Sequence, residues 1–445
     1  MKRFLIALLC IGMVAIAGCG GTKEPAASAP APAPEPAKQP EKITLNFFSA
    51  NPDRTVAVGK VEQQIIDAYV KDHPNITIQV EALQDEPYKN KTKVYAANKE
   101  LPDIMHVWGQ PSFLAPLVQN NLLAELKEAD FASYGFVPGS LDGFKSGGKL
   151  YGLPKGADMM VMYYNKQIFK DNNLQVPNTQ AELLDVCKKL RAKGINPIAV
   201  NGMDAWSLPI WFEFTAQRAN GSFVKMDDAL ARKASFSDAG FLAAAKFMSE
   251  MAKAKAFQDG FLTADYGAAK NLFGQGKAAM FFMGSWEMGM ATDTNFPDAV
   301  RNNIAVMRYP AGDDGKTAKE DVAAWFGGGY AVSNTSKHKA EAMDFLKYML
   351  KPENWAKLVW QSGAAIPAQK FSSFMTGQET QLQKDIVNVL ETMKSSSGTP
   401  VLDAATPAFK ESIMKSHQSL LAGSITPEEF LKQVDAAAET AAKAQ

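Results

Sequence analysis

Apolar residues recur along the chain in two alternating rhythms. Ile43, Leu45 and Phe47 alternate with polar or partly exposed neighbours, the period-two pattern of a strand over Ile43 to Phe48. Val61, Ile65 and Tyr69 then fall at helical spacing, and Pro74 ends that helix. Ile76, Ile78 and Val80 alternate again. Strand, helix and strand in this order predict a right-handed parallel crossover, hence an α/β sheet. Asp103 to Trp108 reads as a short strand followed by helical material through Leu126, and Met159 to Tyr164 as a further strand. The alternation runs to about Ala331. From Lys339 onward the pattern turns helical, with Ala342, Phe345, Leu346 and Met349 in one stripe.

Ligands of open α/β sheets bind beyond the carboxyl ends of the strands. The loops of interest therefore follow Phe48 and Trp108, surround Pro154 and lie beyond Val200. They carry Asn51, Asp53 and Arg54; Gln110; Lys155 and Asp158; and Asn201, Asp204 and Trp206.

The start of the chain follows a different rule. Lys2 and Arg3 precede an apolar run from Phe4 to Ala17 that stops at Gly18 and Cys19. This is the layout of a secretory signal, and the run is shorter than the roughly 20 residues a spanning helix needs. Ile16-Ala17-Gly18-Cys19 resembles the bacterial lipobox, which implies a signal peptide over 1–18 and a lipidated Cys19 as the mature terminus. Acyl chains contribute about 0.8 kcal/mol per buried methylene, so such a cysteine anchors the protein to a membrane without crossing it. From Gly20 to Lys42 the chain is rich in Ala, Pro, Glu, Lys and Ser, a composition that builds no core. Residues 19–42 therefore read as the lipidated cysteine and a polyproline-like tether, rising about 3.1 Å per residue.

Lys plus Arg and Asp plus Glu both number 47, so overall charge gives no reason to expect nucleic acid or an anionic surface as partner. Of three cysteines, Cys10 leaves with the signal and Cys19 is lipidated, so Cys187 remains alone and no internal disulfide forms. It shares one side of a helix expected over Gln180 to Lys193 with Leu183, Leu184 and Leu190, as a buried structural thiol would. The roughly 400 residues after the tether exceed what one core usually organises, so two domains are expected.

Several segments resemble family 1 extracellular solute-binding proteins, the group that includes maltose-binding protein. They are Leu101-Pro102-Asp103-Ile104 leading into Trp108, Tyr151-Gly152-Leu153-Pro154, Tyr163-Tyr164-Asn165-Lys166 with Phe169, and Phe273-Gly274-Gln275-Gly276-Lys277-Ala278-Ala279-Met280. Gly284-Ser285-Trp286-Glu287, Gly327-Gly328-Gly329-Tyr330-Ala331-Val332-Ser333 and Gly363-Ala364-Ala365-Ile366-Pro367 continue the series. The specificity lies in their order and spacing over nearly the whole chain after the tether. The resemblance implies two α/β lobes, each a mostly parallel sheet with helices on both faces, joined by a hinge crossed near Pro154, Gly328 and Ala365 and finished by a helical C-terminal end. Lobe 1 would hold residues 43–155 plus 328–364, and lobe 2 residues 156–327 plus 365–445. It further implies a monomeric extracytoplasmic subunit of an ABC-type importer, which closes over a sugar and presents the closed form to the permease. No cofactor and no enzymatic activity are implied.

A sugar ring has apolar C–H faces and an equator of hydroxyls, so its pocket needs flat aromatic surfaces beside planar polar groups. Trp108, Trp206, Trp286 and Trp325 are candidates for the first, with Trp286 foremost by resemblance. Asn51, Asp53, Arg54, Gln110, Lys155, Asp158, Asp204 and Glu287 are candidates for the second, with Gly328 at the hinge. Trp355 and Trp360, at helical spacing near the end, are expected in the core.

Four scattered histidines, His73, His106, His338 and His417, form no zinc motif. Gly274 to Ala279 satisfies a loose dinucleotide fingerprint, but it follows a helix and precedes a strand, the reverse of what a nucleotide loop needs; its glycines read as a helix stop and turn. A secreted glycoside hydrolase is the alternative from another class, and it would need two carboxyl groups about 5 to 10 Å apart.

Overall fold

Strand β1 (Ile43–Ser49) buries Leu45 and Phe47 on one face and Phe48 on the other. In the computed structural model, which describes residues 41–313, 317 and 319–444, helix α1 (Ala57–Asp72) turns Val61, Ile65 and Tyr69 into the same core. The leader, Cys19 and the tether as far as residue 40 lie outside the described residues. β2 (Ile76–Ala82) runs parallel to β1, and after α2 (Asp85–Asn98) β3 (Ile104–Trp108) joins β1 in parallel on its other side. Helix α3 (Pro111–Gln119) ends short of the expected Leu126. Pro116 lies inside it, Asn121 turns with φ +55°, and Leu123 and Leu126 enter β-bridges to Ser333 and Leu150. The hairpin β4 (Lys145–Ser146) and β5 (Lys149–Leu150) leads into β6 (Leu153–Pro154).

The chain then leaves this first core to build a second. It does so with β7 (Asp158–Asn165), α4 (Lys166–Asp171), α5 (Gln180–Ala192), β8 (Asn196–Ala199), α6 (Ser207–Asn220), α7 (Val224–Leu230) and α8 (Ala239–Lys253). The second core continues through α9 (Tyr266–Gly274), β9 (Ala278–Gly284), α10 (Asp298–Arg301), β10 (Ile304–Met307), β11 (Asp321–Val322) and β12 (Ala324–Trp325). The first core is regained through β13 (Gly328–Val332), α11 (Lys339–Met349) and α12 (Ala356–Gln361). The chain ends in the second on α13 (Gln381–Glu391), β14 (Ser395–Ser396), α14 (Pro407–Leu421) and α15 (Pro427–Lys443). Cys187 is fully buried beside Leu183 and Leu190 on α5, and Trp355 and Trp360 are core residues.

Both sheets are mixed, which corrects the expectation of mostly parallel ones. The first has the order β2-β1-β3-β13-β6, with β13 antiparallel to both neighbours; the second has the order β10-β7-β9-β8, with only β8 and β9 parallel. The reason is where each strand meets the waist. β1, β3 and β9 run toward it and deliver side chains there at their carboxyl ends, whereas β13 and β7 enter their sheets from the waist and must run the other way.

Three passages join the cores: residues 155–157, 326–327 and 365–366. They are tied to one another. Lys155 N–H donates to the Gly328 carbonyl and Ala157 N–H to that of Ile366, both at 2.9 Å, and Gly156 bridges Pro367. The Trp355 indole N–H donates to the Lys155 carbonyl at 2.6 Å. Short backbone bonds at this density let a few residues absorb rotation while both cores stay rigid.

Candidate functional site

A cavity of about 340 Å³ lies between the two cores, at the ends of the strands that run toward the waist. Its first wall comes from the loop after β1, the start of α2 and the end of β3, which place Asn51, Asp53, Asp85, Lys89, Trp108 and Gln110. Its second wall carries Trp206 at the head of α6, Tyr266 and Lys270 on α9, and Trp286 and Glu287 just past β9. Lys155 on the first passage, with Asp158, Trp325 and Gly328 on the strands that flank the passages, forms the floor.

The second wall is aromatic. Trp206 stacks near Tyr266 with centroids 6.0 Å apart and rings 25° from parallel; Trp206 and Trp286 are 6.0 Å apart, as are Trp286 and Trp325. Two of these indole N–H groups are already spoken for. Trp286 donates to the Tyr266 hydroxyl at 3.0 Å, and Trp206 donates to Asp85 of the opposite wall. What they leave for a ligand is ring face, the part that attracts C–H surfaces. The Tyr266 hydroxyl donates in turn to buried Glu287, whose other oxygen pairs with Lys270 at 2.9 Å. Burial pulls the Lys270 ammonium down, but Glu287 outweighs it and holds its pKa above the usual lysine range.

On the floor, burial raises the Asp158 carboxyl to about 6, against Lys155 and the backbone N–H groups of Gly328 and Gly327, which donate to it at 3.2 and 3.1 Å. Burial likewise depresses the Lys155 ammonium, and nearby Glu62 and Asp158 only partly offset it. Glycine makes this geometry fit. A Cβ on Gly284 would overlap the Trp286 ring, one on Gly327 the Trp325 indole, and one on Gly328 would come within 2.8 Å of the Lys155 side chain.

Eleven of the thirteen residues singled out in the sequence line the cavity: Asn51, Asp53, Trp108, Gln110, Lys155, Asp158, Trp206, Trp286, Glu287, Trp325 and Gly328. Arg54 and Asp204 stand behind it. Arg54 pairs with Glu62, a fully buried carboxylate that also accepts from Ser49 at 2.6 Å, Asn51 at 2.7 Å and Tyr330 at 2.6 Å. Asp204 accepts from the backbone N–H of Tyr266 at 2.6 Å and so fixes the head of α9. Burial, then Asp85 and other carboxylates around it, raise its pKa to about 6.

Sequence reasoning did not single out Asp85, Lys89, His106, Tyr266, Lys270, Asp403 or Lys410, all of which also line the cavity. Tyr266 and Lys270 carried a signal, since four residues apart they share a helix face. Asp403 and Lys410 carried none; their place depends on the late return of the chain just before α14 and along its first turn, where Ser112 donates to Asp403 at 2.7 Å across 291 residues. His106 is buried with neither ring nitrogen hydrogen-bonded, and desolvation drives its pKa well below the histidine range, so it stays neutral under Lys155. Among the described residues no group of three or more potential ligands could hold a metal, and no helix is long and apolar enough to cross a membrane.

A family model described as bacterial extracellular solute-binding protein matches residues 53–354. Among curated proteins, the multiple sugar-binding protein of Streptococcus mutans is 23% identical over 69% of this chain and 71% of its own length. An uncharacterised ABC transporter extracellular-binding protein of Pyrococcus horikoshii is 28% identical over 65% of this chain and 68% of its own. Among solved structures, a protein from work on xylan utilization by the thermophilic bacterium Caldanaerobius polysaccharolyticus superposes with a TM-score of 0.80 at 30% identity, covering 88% of this chain and 99% of that one.

Proposed function

This chain belongs to the bacterial extracellular solute-binding proteins, and from that premise we propose that it captures an uncharged oligosaccharide between its two lobes and delivers it to an ABC-type permease by closing over it. Membership in a family of binding proteins leaves the secreted glycoside hydrolase without support, and it makes the protein an extracytoplasmic receptor rather than an enzyme.

One observation carries the choice of ligand: Trp206, Tyr266 and Trp286 on one wall and Trp325 on the floor beside them offer adjoining ring surfaces, with Trp108 opposite. Adjoining platforms suit more than one sugar ring. Charge supports the word uncharged. The cavity is lined by six carboxylates against four lysines, and Lys89, Lys270 and Lys410 are each ion-paired to carboxylates of the lining. A uronate or sugar phosphate would enter an excess of negative charge in a low-dielectric cleft.

In this reading Asn51, Asp53, Gln110, Lys155, Asp158 and Glu287 meet hydroxyls, Gly328 keeps the floor open, and Arg54 and Asp204 hold the polar walls in place. Lobe 1 comprises 43–155 plus 328–364 and lobe 2 comprises 156–327 plus 365–445. Once the signal over 1–18 has been removed, the lipidated Cys19 and the tether to residue 42 keep a monomeric receptor at the membrane outside the cytoplasm. A ligand that binds the folded state raises its melting temperature with concentration. Xylo-oligosaccharides, galacto-oligosaccharides and raffinose, screened against their uronate counterparts, should give a saturable upward shift for at least one neutral sugar and none for the acids. A flat panel for neutral sugars, or a shift confined to acids, would overturn the proposal.

A further inference from the structure

Asp85 stands where the two walls meet. One of its oxygens accepts from the Trp206 indole N–H of the second lobe, and the other pairs with Lys89 of its own helix at 2.8 Å. Lys89 also reaches Glu86 at 2.7 Å, and its ammonium lies over the Trp108 ring, 5.0 Å from the centroid. Trp206, Asp85, Lys89 and Trp108 thus form one chain of contacts from the aromatic wall of one lobe to the platform of the other. Asp85 and Lys89 side chains are each only 13% exposed, so the charges act with little screening. The backbone is held for the purpose: Asp85 has φ +46° and Ala205, just before Trp206, has φ +59°. Non-glycine residues in that region persist where their surroundings over-determine them.

We propose that Asp85 and Lys89 are positioning residues that form an interlobe clasp, setting the Trp206 and Trp108 platforms together and only when the lobes are closed. The inference rests on the closure in the preceding reading but on no particular sugar. A charge-assisted acceptor orients the Trp206 ring while consuming its N–H, and Lys89 transmits the same carboxylate's position to Trp108. Opening the lobes breaks the first contact and leaves the second, so the cost of opening falls on the indole bond.

The test reads the clasp without a ligand and then with one. In the full chain, hydrogen exchange at the Trp206 indole N–H, assigned through Trp206→Phe, reports the closed fraction. Asp85→Ala should speed that exchange roughly tenfold or more, the factor lost with one hydrogen bond to a charged group, while slowly exchanging amides of β9 stay unchanged. Asp85→Asn keeps an acceptor and should fall between, and it serves as the readout if the alanine variant unfolds. Lys89→Met should also speed the exchange, by less than Asp85→Ala. With xylotriose as probe, Asp85→Ala should raise the dissociation rate about tenfold and leave the association rate within about threefold. Unchanged indole exchange in both Asp85 variants would overturn the clasp whatever sugar binds. Failure of xylotriose to bind the wild-type chain would count against xylo-oligosaccharides in the preceding reading, and the exchange data would still decide the clasp.

Discussion

Gly284 has no side chain, yet its emptiness decides where Trp286 lies. Its φ of −80° is ordinary for any residue, so alanine would be tolerated by the backbone and opposed only by the indole packed against it. Overpacking of this kind costs typically about 1–3 kcal/mol. Gly284→Ala should therefore fold, melt modestly lower, and lose on the order of tenfold or more in sugar affinity because its platform is tilted; isothermal titration beside thermal melting separates the two effects. Equal affinity to wild type would mean that Trp286 is not a platform. The motif Gly284-Ser285-Trp286-Glu287 was legible in the sequence as a unit. The reason for its glycine was not, because a side chain's bed is a three-dimensional fact. Arg54 teaches the same lesson in reverse: its loop makes it a candidate for a sugar hydroxyl, but Glu62, on the second turn of α1, takes it out of the cavity. His106 was weighed only as a zinc ligand, and the structure gives it instead as a neutral ring stacked edge-on to Trp108 at 4.4 Å.

Helix starts give the next scale its clearest contrast, since two caps of the same chemistry stand in different places. The Asp265 side chain accepts from Ala268 N–H at 2.7 Å at the head of α9, and Thr426 accepts from Glu429 N–H at 3.1 Å in a capping box at the head of α15. Removing either cap costs about 1 kcal/mol. Of these two helices only α9 carries cleft residues, Tyr266 on its first turn and Lys270 on the next. Asp265→Ala and Thr426→Ala should thus show similar losses in chemical denaturation, with sugar affinity falling in the first alone. A parallel fall in both would show that affinity tracks global stability. At this scale the periodic stripes of α1, α5 and α11 were readable because amphipathic spacing is local. The direction of β7 and β13 was not. It depends on where the chain re-enters each lobe, a consequence of three crossings that no window of sequence contains. The early end of α3 was half visible, in Pro116 and the Asn120-Asn121 pair.

Closure of the whole molecule brings like charges together, and this makes it sensitive to pH. Asp204 of the second lobe faces Asp85 and Glu86 of the first and Asp265 of its own lobe, with Lys89 and Lys410 partly neutralising the α2 pair. Burial and that repulsion raise its pKa to about 6 from an ordinary 3.8. Opening removes Asp85 and Glu86 from its surroundings, so the open form holds the Asp204 proton less tightly. A group whose pKa is raised in one state stabilises that state below the lower pKa and loses the effect as pH climbs through the higher one. Protons therefore favour the closed form at acidic pH, and progressively less as pH climbs through about 6. Burial keeps His106 and His417 neutral, with His417 lowered to about 4, so neither adds an opposing charge across most of this window. Asp158, also at about 6, sits on the floor beside Lys155 and needs its own control. Small-angle scattering of the ligand-free chain should show the radius of gyration falling between pH 7.5 and 5. Asp204→Asn, neutral throughout, should be compact at both ends and flatten the profile, whereas Asp158→Asn should leave the slope in place. A slope that survives Asp204→Asn would assign the pH response to another group and remove interlobe carboxylate repulsion as its cause.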